Sequence, residues 1–357
     1  MKVCILSAVN IKHMSLISLY TNILKERGIE YDIVYMDKYG DDEYFECKHK
    51  YRFVNVVKHD LPKFVKAALY MRFRGYAKRI LNKENYDFVI VWNDVAIFMF
   101  SYYLARKYKG KYCLNVRDNE KYDKKWTKFR YKKAFSNSAF NTISSLGYKV
   151  FLPDGVDYIP VHSFNSTALE GMKVHDGIRK EGEPIRIGFI GYIRFFERNQ
   201  KLLDVFKNDP RFIICFYGKK ANELKRYAEE NGITNVDFHD SFPVEDTKIY
   251  LEKIDIINNL YGNETVNLRK AISIKFYHAL YSRIPILVSN NTYQSETAQK
   301  AGIGFEISEI NEETKENLYK WYRNLDFDII SENCANFLEQ AKKDNQVFKE
   351  TVIKWMK

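Results

Sequence analysis

The stretch Ser273-Ile-Lys-Phe-Tyr-His-Ala-Leu-Tyr-Ser-Arg-Ile-Pro-Ile-Leu-Val-Ser289 predicts a short helix that leads directly into a buried strand. Ser273 is suited to cap the first turn, which leaves backbone N–H groups at the positive end of the helix dipole facing an anion. Helical spacing predicts one apolar side (Ile274, Tyr277, Leu280, Tyr281) and one polar side (Lys275, His278, Ser282). Pro285 ends the helix. The stretch therefore predicts either a phosphate-facing helix or a helix with an ordinary solvated face.

Outward from this stretch, strand and helix patterns alternate along most of the 357 residues. One alternating unit covers residues 1–157, a linker covers 158–183, a second unit covers 184–310, and helices are predicted for 311–357. The pattern predicts the α/β class, with two Rossmann-like doubly wound domains. Because such domains bind ligands at the carboxyl ends of their strands, we expect the two domains to face each other across a cleft.

Composition indicates an ordinary soluble globular protein, with 46% hydrophobic and 29% charged residues. The longest nearly apolar run, 95–105, is too short to cross a bilayer, and the start lacks the apolar core of a signal peptide, so we expect a cytoplasmic location. The five cysteines are scattered and form no CxxC pair (Cys4, Cys47, Cys113, Cys215, Cys334). Reduced thiols in the core are therefore predicted, rather than disulfides or a zinc site.

The net charge of +11 is concentrated in the first half of the chain. Residues 1–160 contain 29 Lys and Arg against 17 Asp and Glu, whereas the remainder contains 28 against 29. Segments 61–83 and 121–135 interleave cations with aromatic residues, which suits an anionic membrane surface. A Lys-rich face that serves solubility is the alternative. Nucleic acid is not a predicted partner, because zinc-finger spacing and RNA-binding aromatic signatures are lacking.

The second unit contains the better candidate anion site. Gly191 follows its first strand, and Arg194 and Arg198 can fall on one side of the next turn. With Lys275 and the helix N-terminus, three cations are expected to converge on a diphosphate. Two further candidates, Gly218 and Phe242, follow neighbouring strands where a nucleoside could stack, although aromatic residues at such positions more often belong to the core.

These residues resemble the carboxyl-terminal donor domain of GT-B-fold glycosyltransferases, in particular glycosyltransferase family 4 and its relatives of the bacterial surface-polysaccharide type. The resemblance spans most of residues 185–307 and rests on five segments: Gly191-x-x-Arg194, Tyr217-Gly218, Asn235–Phe242, Tyr250–Ile256 and Ser273–Ser289. The first half agrees more loosely, through Tyr86–Trp92 and the turn Leu152–Asp157. The resemblance implies transfer of a sugar from a nucleotide-activated donor to an acceptor held by the first domain, usually without a bound metal.

The chain also departs from that family. Its Glu-x7-Glu pair corresponds here to Lys270 and His278, although His278 could still hydrogen-bond a hydroxyl. The glycine that usually follows the helix is Arg283. The sequence is therefore similar to a diverged member, and retaining stereochemistry is not implied. In an inverting route the first domain would supply the base, for which Asp94 and Asp118 are candidates; both are equally suited to be helix caps.

The favoured function is a glycosyltransferase that extends a glycan, in particular a lipid-linked one, at the inner membrane face during cell-surface polysaccharide synthesis. No metal or other cofactor is expected. A nucleotide-sugar 2-epimerase-like isomerase is the first alternative, and a non-enzymatic protein that binds anionic surfaces is the second. Asp326-Phe-Asp328 has the spacing of a metal-binding DxD motif, but it lies in the late helical region and is better explained by chance.

Overall fold

Two compact α/β units make up the chain in the computed structural model. The structure describes residues 1–14, 16–56, 61–118, 125–163 and 169–356, apart from the side chains of residues 125 and 126. The first unit consists of Met1–His162 and Lys343–Lys357, and the second consists of Ser163–Lys342. Each unit contains one parallel sheet, so the predicted α/β class with two Rossmann-like domains is confirmed.

The first unit contains a seven-stranded sheet in the order β3-β2-β1-β4-β5-β6-β7. Its strands are β1 (Val3–Ser7), β2 (Tyr31–Asp37), β3 (Lys50–Val54), β4 (Phe88–Trp92), β5 (Tyr112–Val116), β6 (Phe140–Ile143) and β7 (Ile159–Pro160). Its helices are α1 (Ser18–Glu26), α2 (Lys63–Glu84), α3 (Asp94–Lys107) and α4 (Lys125–Phe135). The strands β1, β2, β4, β5 and β6 are buried along their whole length, as continuous apolar runs in a parallel sheet predict.

The apolar residues in the segment Lys149-Val-Phe-Leu152 predict a short strand, but this prediction is wrong. Residues Leu146–Val150 form a 3₁₀ turn instead, in which the hydroxyl of Ser145 accepts a hydrogen bond from the N–H of Gly147. Val150 is 70% exposed. A serine hydroxyl that accepts from the backbone N–H two residues ahead stabilises a turn, and the exposed side chain of Val150 does not pack on a sheet.

The second unit contains a six-stranded sheet in the order β10-β9-β8-β11-β12-β13. Its strands are β8 (Ile185–Ile190), β9 (Phe212–Tyr217), β10 (Val236–His239), β11 (Ile256–Asn259), β12 (Ile286–Ser289) and β13 (Gly304–Ile307). The helices that follow α4 are α5 (Phe196–Val205), α6 (Ala221–Glu230), α7 (Thr247–Leu251), α8 (Val266–Lys270), α9 (Ile274–Ser282), α10 (Tyr293–Lys300), α11 (Glu312–Arg323) and α12 (Phe327–Trp355).

The strand order of the second sheet creates a switch point between β8 and β11. From β8 the chain proceeds outward to β9 and β10, and it then returns to β11 and proceeds in the opposite direction. The connections on either side of this point diverge, which leaves a crevice at the carboxyl ends of β8 and β11 where open α/β sheets bind ligands.

Helix α12 belongs to both compact units, since its residues from Lys343 onward are part of the first. In that unit Phe348 packs edge-on against Tyr20, with ring centroids 4.9 Å apart. The helix begins where the carboxylate of Asp326 accepts hydrogen bonds from the N–H groups of Asp328 and Ile329, at 3.0 and 3.1 Å. This contact gives the first Asp of the Asp326-Phe-Asp328 segment a role at a helix start.

Four of the five cysteines are buried, as predicted, whereas Cys47 is partly exposed. Burial raises the pKa of the Cys4, Cys113, Cys215 and Cys334 thiols. Of the helices that the structure describes, none combines the length and the apolar character that spanning a membrane requires.

Candidate functional site

A cavity of about 200 Å³ lies at the carboxyl ends of β11 and β12 in the second unit, beside the switch point. It is lined by residues at or after the ends of three strands, including Arg194 and Phe195 after β8, Asn259 at the end of β11, Tyr261 and Gly262 after it, and Thr292 and Gln294 after β12. Among the described lining residues there is no Asp or Glu, and Arg194 is the only charged one. The cavity therefore suits a group that is rich in hydrogen-bond acceptors or negative charge.

Gly191 and Gly218 end the neighbouring strands β8 and β9, and both have positive φ angles, of 106° and 138°. The N–H of Gly191 donates to the carbonyl of Tyr217 at 2.8 Å, and the N–H of Gly218 donates to the carbonyl of His239 at 2.8 Å. A Cβ atom on Gly218 would collide with the carbonyl of Gly191. These glycines let two strand ends approach closely, and the chain continues from Gly191 into the loop that carries Arg194.

Arg194 is exposed, and its guanidinium lies over the ring of Tyr192, 5.4 Å from the ring centroid. Its backbone carbonyl accepts a hydrogen bond from the buried side-chain amide of Asn199 at 2.7 Å. The Asn199 amide in turn accepts from the Asn258 side chain at 3.0 Å. Buried amides thus hold the backbone of the loop, and Arg194 forms no ion pair with a described residue, so its charge is available to a ligand.

Arg198 and Lys275 are not among the residues that line this cavity. Arg198 is paired with Glu264. It lines a neighbouring hollow of about 250 Å³, together with Glu197, Lys201 and Glu309, and Ser289 lines both this hollow and the cavity. Of the three cations in the predicted cluster, the described structure brings only Arg194 to the cavity wall.

Lys275 lies in the first turn of α9 with 5% of its surface exposed. Its ammonium donates to the hydroxyl of Tyr261 at 2.7 Å and lies 3.7 Å from the centre of the Phe189 ring. The predicted apolar side was wrong for Ile274, which is 44% exposed, and the alternative of an ordinary solvated face does not hold for Lys275. An aromatic face and a hydroxyl offset the cost of burying the ammonium, which helical spacing alone does not reveal.

Ser273 precedes α9 but does not cap it with its side chain. Its hydroxyl donates to the side-chain oxygen of Asn259 at 3.0 Å, and its backbone N–H donates to the side-chain oxygen of Gln294 at 2.9 Å. The predicted hydroxyl cap was wrong because the side chain of Asn259, at the end of β11, accepts the hydrogen bond from the hydroxyl instead. Helix α9 therefore starts beside the cavity without a side-chain cap.

His278 and Phe242 are not part of the described cavity wall. His278 is partly buried one turn into α9, and burial, together with the charge of Lys275, lowers the pKa of its ring to about 4. Phe242 packs against Tyr250, with ring centroids 4.2 Å apart. Its ring is thus part of a partly buried aromatic cluster beyond β10.

Asp94 and Asp118 follow β4 and β5 in the first unit. Asn93 is the N-cap of α3, since its side chain accepts from the N–H of Ala96 at 2.9 Å, so the alternative that Asp94 is the cap was wrong. Asp94 is buried in the first turn of that helix. Asp118 is partly buried, and burial, with a smaller contribution from the Asp118 charge, raises the pKa of Tyr148.

Sequence reasoning did not identify Tyr261, Asn259 or Gln294 as site residues. Gln294 is 5% exposed, and its side-chain N–H₂ group is buried without a hydrogen-bond partner in the described structure. Tyr261 follows β11 directly, and the rule that ligands lie at carboxyl ends of strands could have identified it. Within the described ranges, no group of three or more His, Cys, Asp or Glu is placed to hold a metal ion.

No protein-family model matches the chain, and no curated protein matches it in sequence. Solved structures do resemble it. Sucrose-phosphate synthase from Thermosynechococcus elongatus has a TM-score of 0.67 at 11% identity, with 98% of this chain and 99% of that chain covered. HepE from Anabaena, solved in complex with UDP, also has a TM-score of 0.67 at 11% identity, over 99% and 100% of the two chains.

A putative UDP-N-acetylglucosamine 2-epimerase from Listeria monocytogenes has a TM-score of 0.54 at 13% identity, over 98% of this chain and 97% of that chain. At such low identities the likeness concerns the fold. The two parallel-sheet α/β domains are those of the GT-B glycosyltransferase fold.

Proposed function

We propose that this protein is a glycosyltransferase that moves a sugar from a nucleotide-sugar donor, bound by the second unit, to a glycan acceptor. The observation that carries the proposal is the cavity at the switch point of the second sheet, which combines the Arg194 cation with a lining that lacks Asp and Glu. At about 200 Å³ it is smaller than the usual site for a drug-sized ligand, so it suits one part of a nucleotide sugar.

The chemical task of the site is to stabilise the leaving nucleotide diphosphate. As the bond between the sugar carbon and the diphosphate oxygen breaks, its electron pair moves to the diphosphate, and the acceptor oxygen forms the new bond to that carbon. Arg194 and the N-terminal dipole of α9 would offset the developing charge on the diphosphate. His278, neutral at pH 7, would be able to hydrogen-bond a hydroxyl of the donor.

We assign the acceptor to the first unit, where Asp94 and Asp118 are the candidate bases for an inverting route. The favoured acceptor is a lipid-linked glycan. Helix α2 supports this choice, because it exposes Phe64 and Met71, at 77% and 56%, among Lys and Arg residues that would attract an anionic membrane surface. Most of the first basic segment, 61–83, lies in this helix. Residues 121–124 of the second segment, 121–135, lie outside the described residues.

In this proposal the protein works at the inner face of the cytoplasmic membrane, in the synthesis of cell-surface polysaccharide. The reaction is expected to proceed without a bound metal, since the cationic side chain and the helix dipole would neutralise the diphosphate. Activity that survives EDTA supports this expectation, and activity that returns only on addition of a divalent cation contradicts it.

A nucleotide-sugar 2-epimerase is the second candidate, and the likeness to the Listeria monocytogenes protein favours it. The two candidates differ in their need for an acceptor. Incubation of the protein with a nucleotide sugar alone would give an epimer in the second case and unchanged donor, apart from slow hydrolysis, in the first.

A thermal-shift screen of UDP-, GDP-, dTDP- and ADP-sugars tests the proposal directly, because a ligand that binds the native state raises its melting temperature by mass action. The HepE complex with UDP makes UDP-sugars the first to test. A hit is then incubated with membrane extracts, and transfer of labelled sugar to lipid-extractable material is measured. If no nucleotide sugar shifts the melting temperature at millimolar concentration, the proposal fails.

A further inference from the structure

Tyr261 and Lys275 form a pair at the edge of the cavity that the sequence did not indicate. Tyr261 follows β11 and lines the cavity, whereas Lys275 lies behind it in the first turn of α9. We propose that the Tyr261 hydroxyl donates a hydrogen bond to a diphosphate oxygen of the bound nucleotide sugar, and that Lys275 is the residue that positions it. The inference rests on the proposed function and adds to it a ligand-contacting residue and its positioning partner.

The hydrogen-bond chemistry of the pair determines which way the hydroxyl points. A lysine ammonium has three donors and no acceptor, so in the 2.7 Å contact the Tyr261 oxygen has to accept from Lys275. The hydrogen of the hydroxyl must then point away from Lys275. No described residue accepts a hydrogen bond from this hydroxyl, and Tyr261 is part of the cavity wall. The arrangement therefore leaves a donor for a ligand oxygen.

Aromatic contacts hold both members of the pair in place. The ring of Tyr261 packs against those of Phe195 and Phe189, with centroid distances of 5.0 and 6.1 Å. The Lys275 ammonium lies over the Phe189 ring at 3.7 Å and is 5.0 Å from the centre of the Tyr261 ring. Because these side chains are packed before any ligand binds, the hydroxyl loses little conformational freedom on binding.

The charge of the surroundings favours a diphosphate oxygen over a neutral acceptor. The Lys275 ammonium contacts the hydroxyl, Arg194 lines the same cavity, and the described lining lacks Asp and Glu. A hydroxyl hydrogen-bonded to an ammonium is a stronger donor, and hydrogen bonds to charged acceptors are the stronger class. The pair is therefore suited to an anionic oxygen.

The experiment compares the affinity of wild type and Tyr261→Phe for UDP and for UDP-glucose by isothermal titration calorimetry, or for another donor pair if the screen identifies one. The substitution keeps the ring and removes only the hydroxyl. We expect affinity to fall at least tenfold for both ligands, which is the ordinary value of a hydrogen bond to a charged acceptor. Tyr227→Phe is the matched control, because its hydroxyl bonds to Asp204 on α5, outside the cavity lining.

The role of Lys275 is tested by a double-mutant cycle with Lys275→Met. If Lys275 acts through the hydroxyl, Lys275→Met weakens UDP binding in the wild-type background and has less than a twofold effect in the Tyr261→Phe background. Equal effects in both backgrounds overturn the positioning role. Lys275→Arg keeps a cationic donor and is expected to bind UDP more tightly than Lys275→Met, and the Tyr261→Phe measurement does not depend on either variant folding.

The outcomes separate the inference from the proposed function. A wild-type protein that binds none of the nucleotides contradicts the proposed function itself. A wild-type protein that binds UDP, with Tyr261→Phe binding equally well, overturns only the inference. Loss of affinity for UDP-glucose but not for UDP assigns the hydroxyl to the sugar and overturns its assignment to the diphosphate.

Discussion

The carbonyl group of Gly191 occupies the space that a Cβ atom on Gly218 would need. The two glycines end the neighbouring strands β8 and β9, so this contact sets how the loop that carries Arg194 leaves the sheet. Position 218 therefore requires glycine for a steric reason, and a substitution there tests the contact.

Substitution of Gly218 by Ala should destabilise the second unit by about 3 kcal/mol or more. The new Cβ would meet backbone atoms, and the φ of 138° is strained for any other residue. Gly232→Ala is the control, because Gly232 also has a positive φ, of 62°, but has nothing within 4 Å of its Cβ position. We expect the control to lose about 1 kcal/mol in urea unfolding. Equal losses would contradict the close contact.

Arg194→Ala should lower affinity for the nucleotide-sugar donor by about 10- to 100-fold, the range expected when one charge-assisted contact to a diphosphate is lost. The melting temperature without ligand should not change, since Arg194 is exposed and unpaired among the described residues. Calorimetric titration checks the affinity.

Arg226→Ala is the matched control for this substitution, because Arg226 is an exposed arginine on α6, outside the cavity lining. Arg198→Ala should have a smaller effect than Arg194→Ala, because Arg198 is already paired with Glu264. If Arg194→Ala and Arg226→Ala bind the donor equally well, Arg194 has no role in donor binding.

His278 should make the protein less stable as the pH falls from 6.5 to 4. Burial lowers the pKa of His278 to about 4 in the folded chain, whereas an unfolded histidine has a pKa near 6.5. Between these values the unfolded chain binds more protons than the folded one, so the free energy of unfolding decreases as the pH is lowered. Each pH unit in this window costs at most about 1.4 kcal/mol for this one group.

The measurement compares the free energy of unfolding of wild type and His278→Gln between pH 4.5 and 8. The variant should show a shallower decrease below pH 6.5, and both proteins should have the same slope above pH 7. His175, whose pKa burial also lowers to about 4, keeps its own contribution in both proteins and cancels in the comparison. Parallel curves throughout the acid range would show that His278 titrates normally.

Binding to vesicles should depend on the exposed apolar residues of α2. With vesicles that contain phosphatidylglycerol, Phe64→Ser should weaken binding about tenfold, because burying an aromatic side chain contributes about 1.5–3 kcal/mol. Binding should also decrease with added salt and be weaker to purely zwitterionic vesicles. Val244→Ser, at a position 70% exposed in the second unit, is the control. Unchanged binding of Phe64→Ser would exclude α2 as the membrane contact.

The alternating elements could be predicted because they depend on local features. Phe212–Gly218 is a continuous apolar run followed by a glycine, and it forms the buried strand β9 that ends at a positive-φ glycine. Helix α9 and strand β12 were likewise predicted from one stretch. The short helices α8 and α10 were missed because their starts depend on the single side chains of Thr265 and Thr292, each of which accepts a hydrogen bond from a nearby N–H.

The site was only partly predictable. Arg194 was identified from its position after a strand and Ser273 from its position at the start of a helix, and both line the cavity. Gln294 was not identified, because nothing in its immediate neighbourhood distinguishes it from core residues. Tyr261 was missed although its position after β11 could have identified it. Arg198 was placed with Arg194 by spacing, yet its partner Glu264 lies 66 residues further along the chain.

By itself the sequence determined the class and order of the elements, since apolar periodicity and turn residues act over a few positions and do not depend on distant parts of the chain. Only the tertiary structure decided that Lys275 is buried against Phe189 and Tyr261, and that Phe348 packs on Tyr20. These contacts join residues far apart in sequence. The neighbouring strands β8 and β11 bring Phe189 and Tyr261 together beside Lys275, whereas the contact of Phe348 with Tyr20 joins helices α12 and α1.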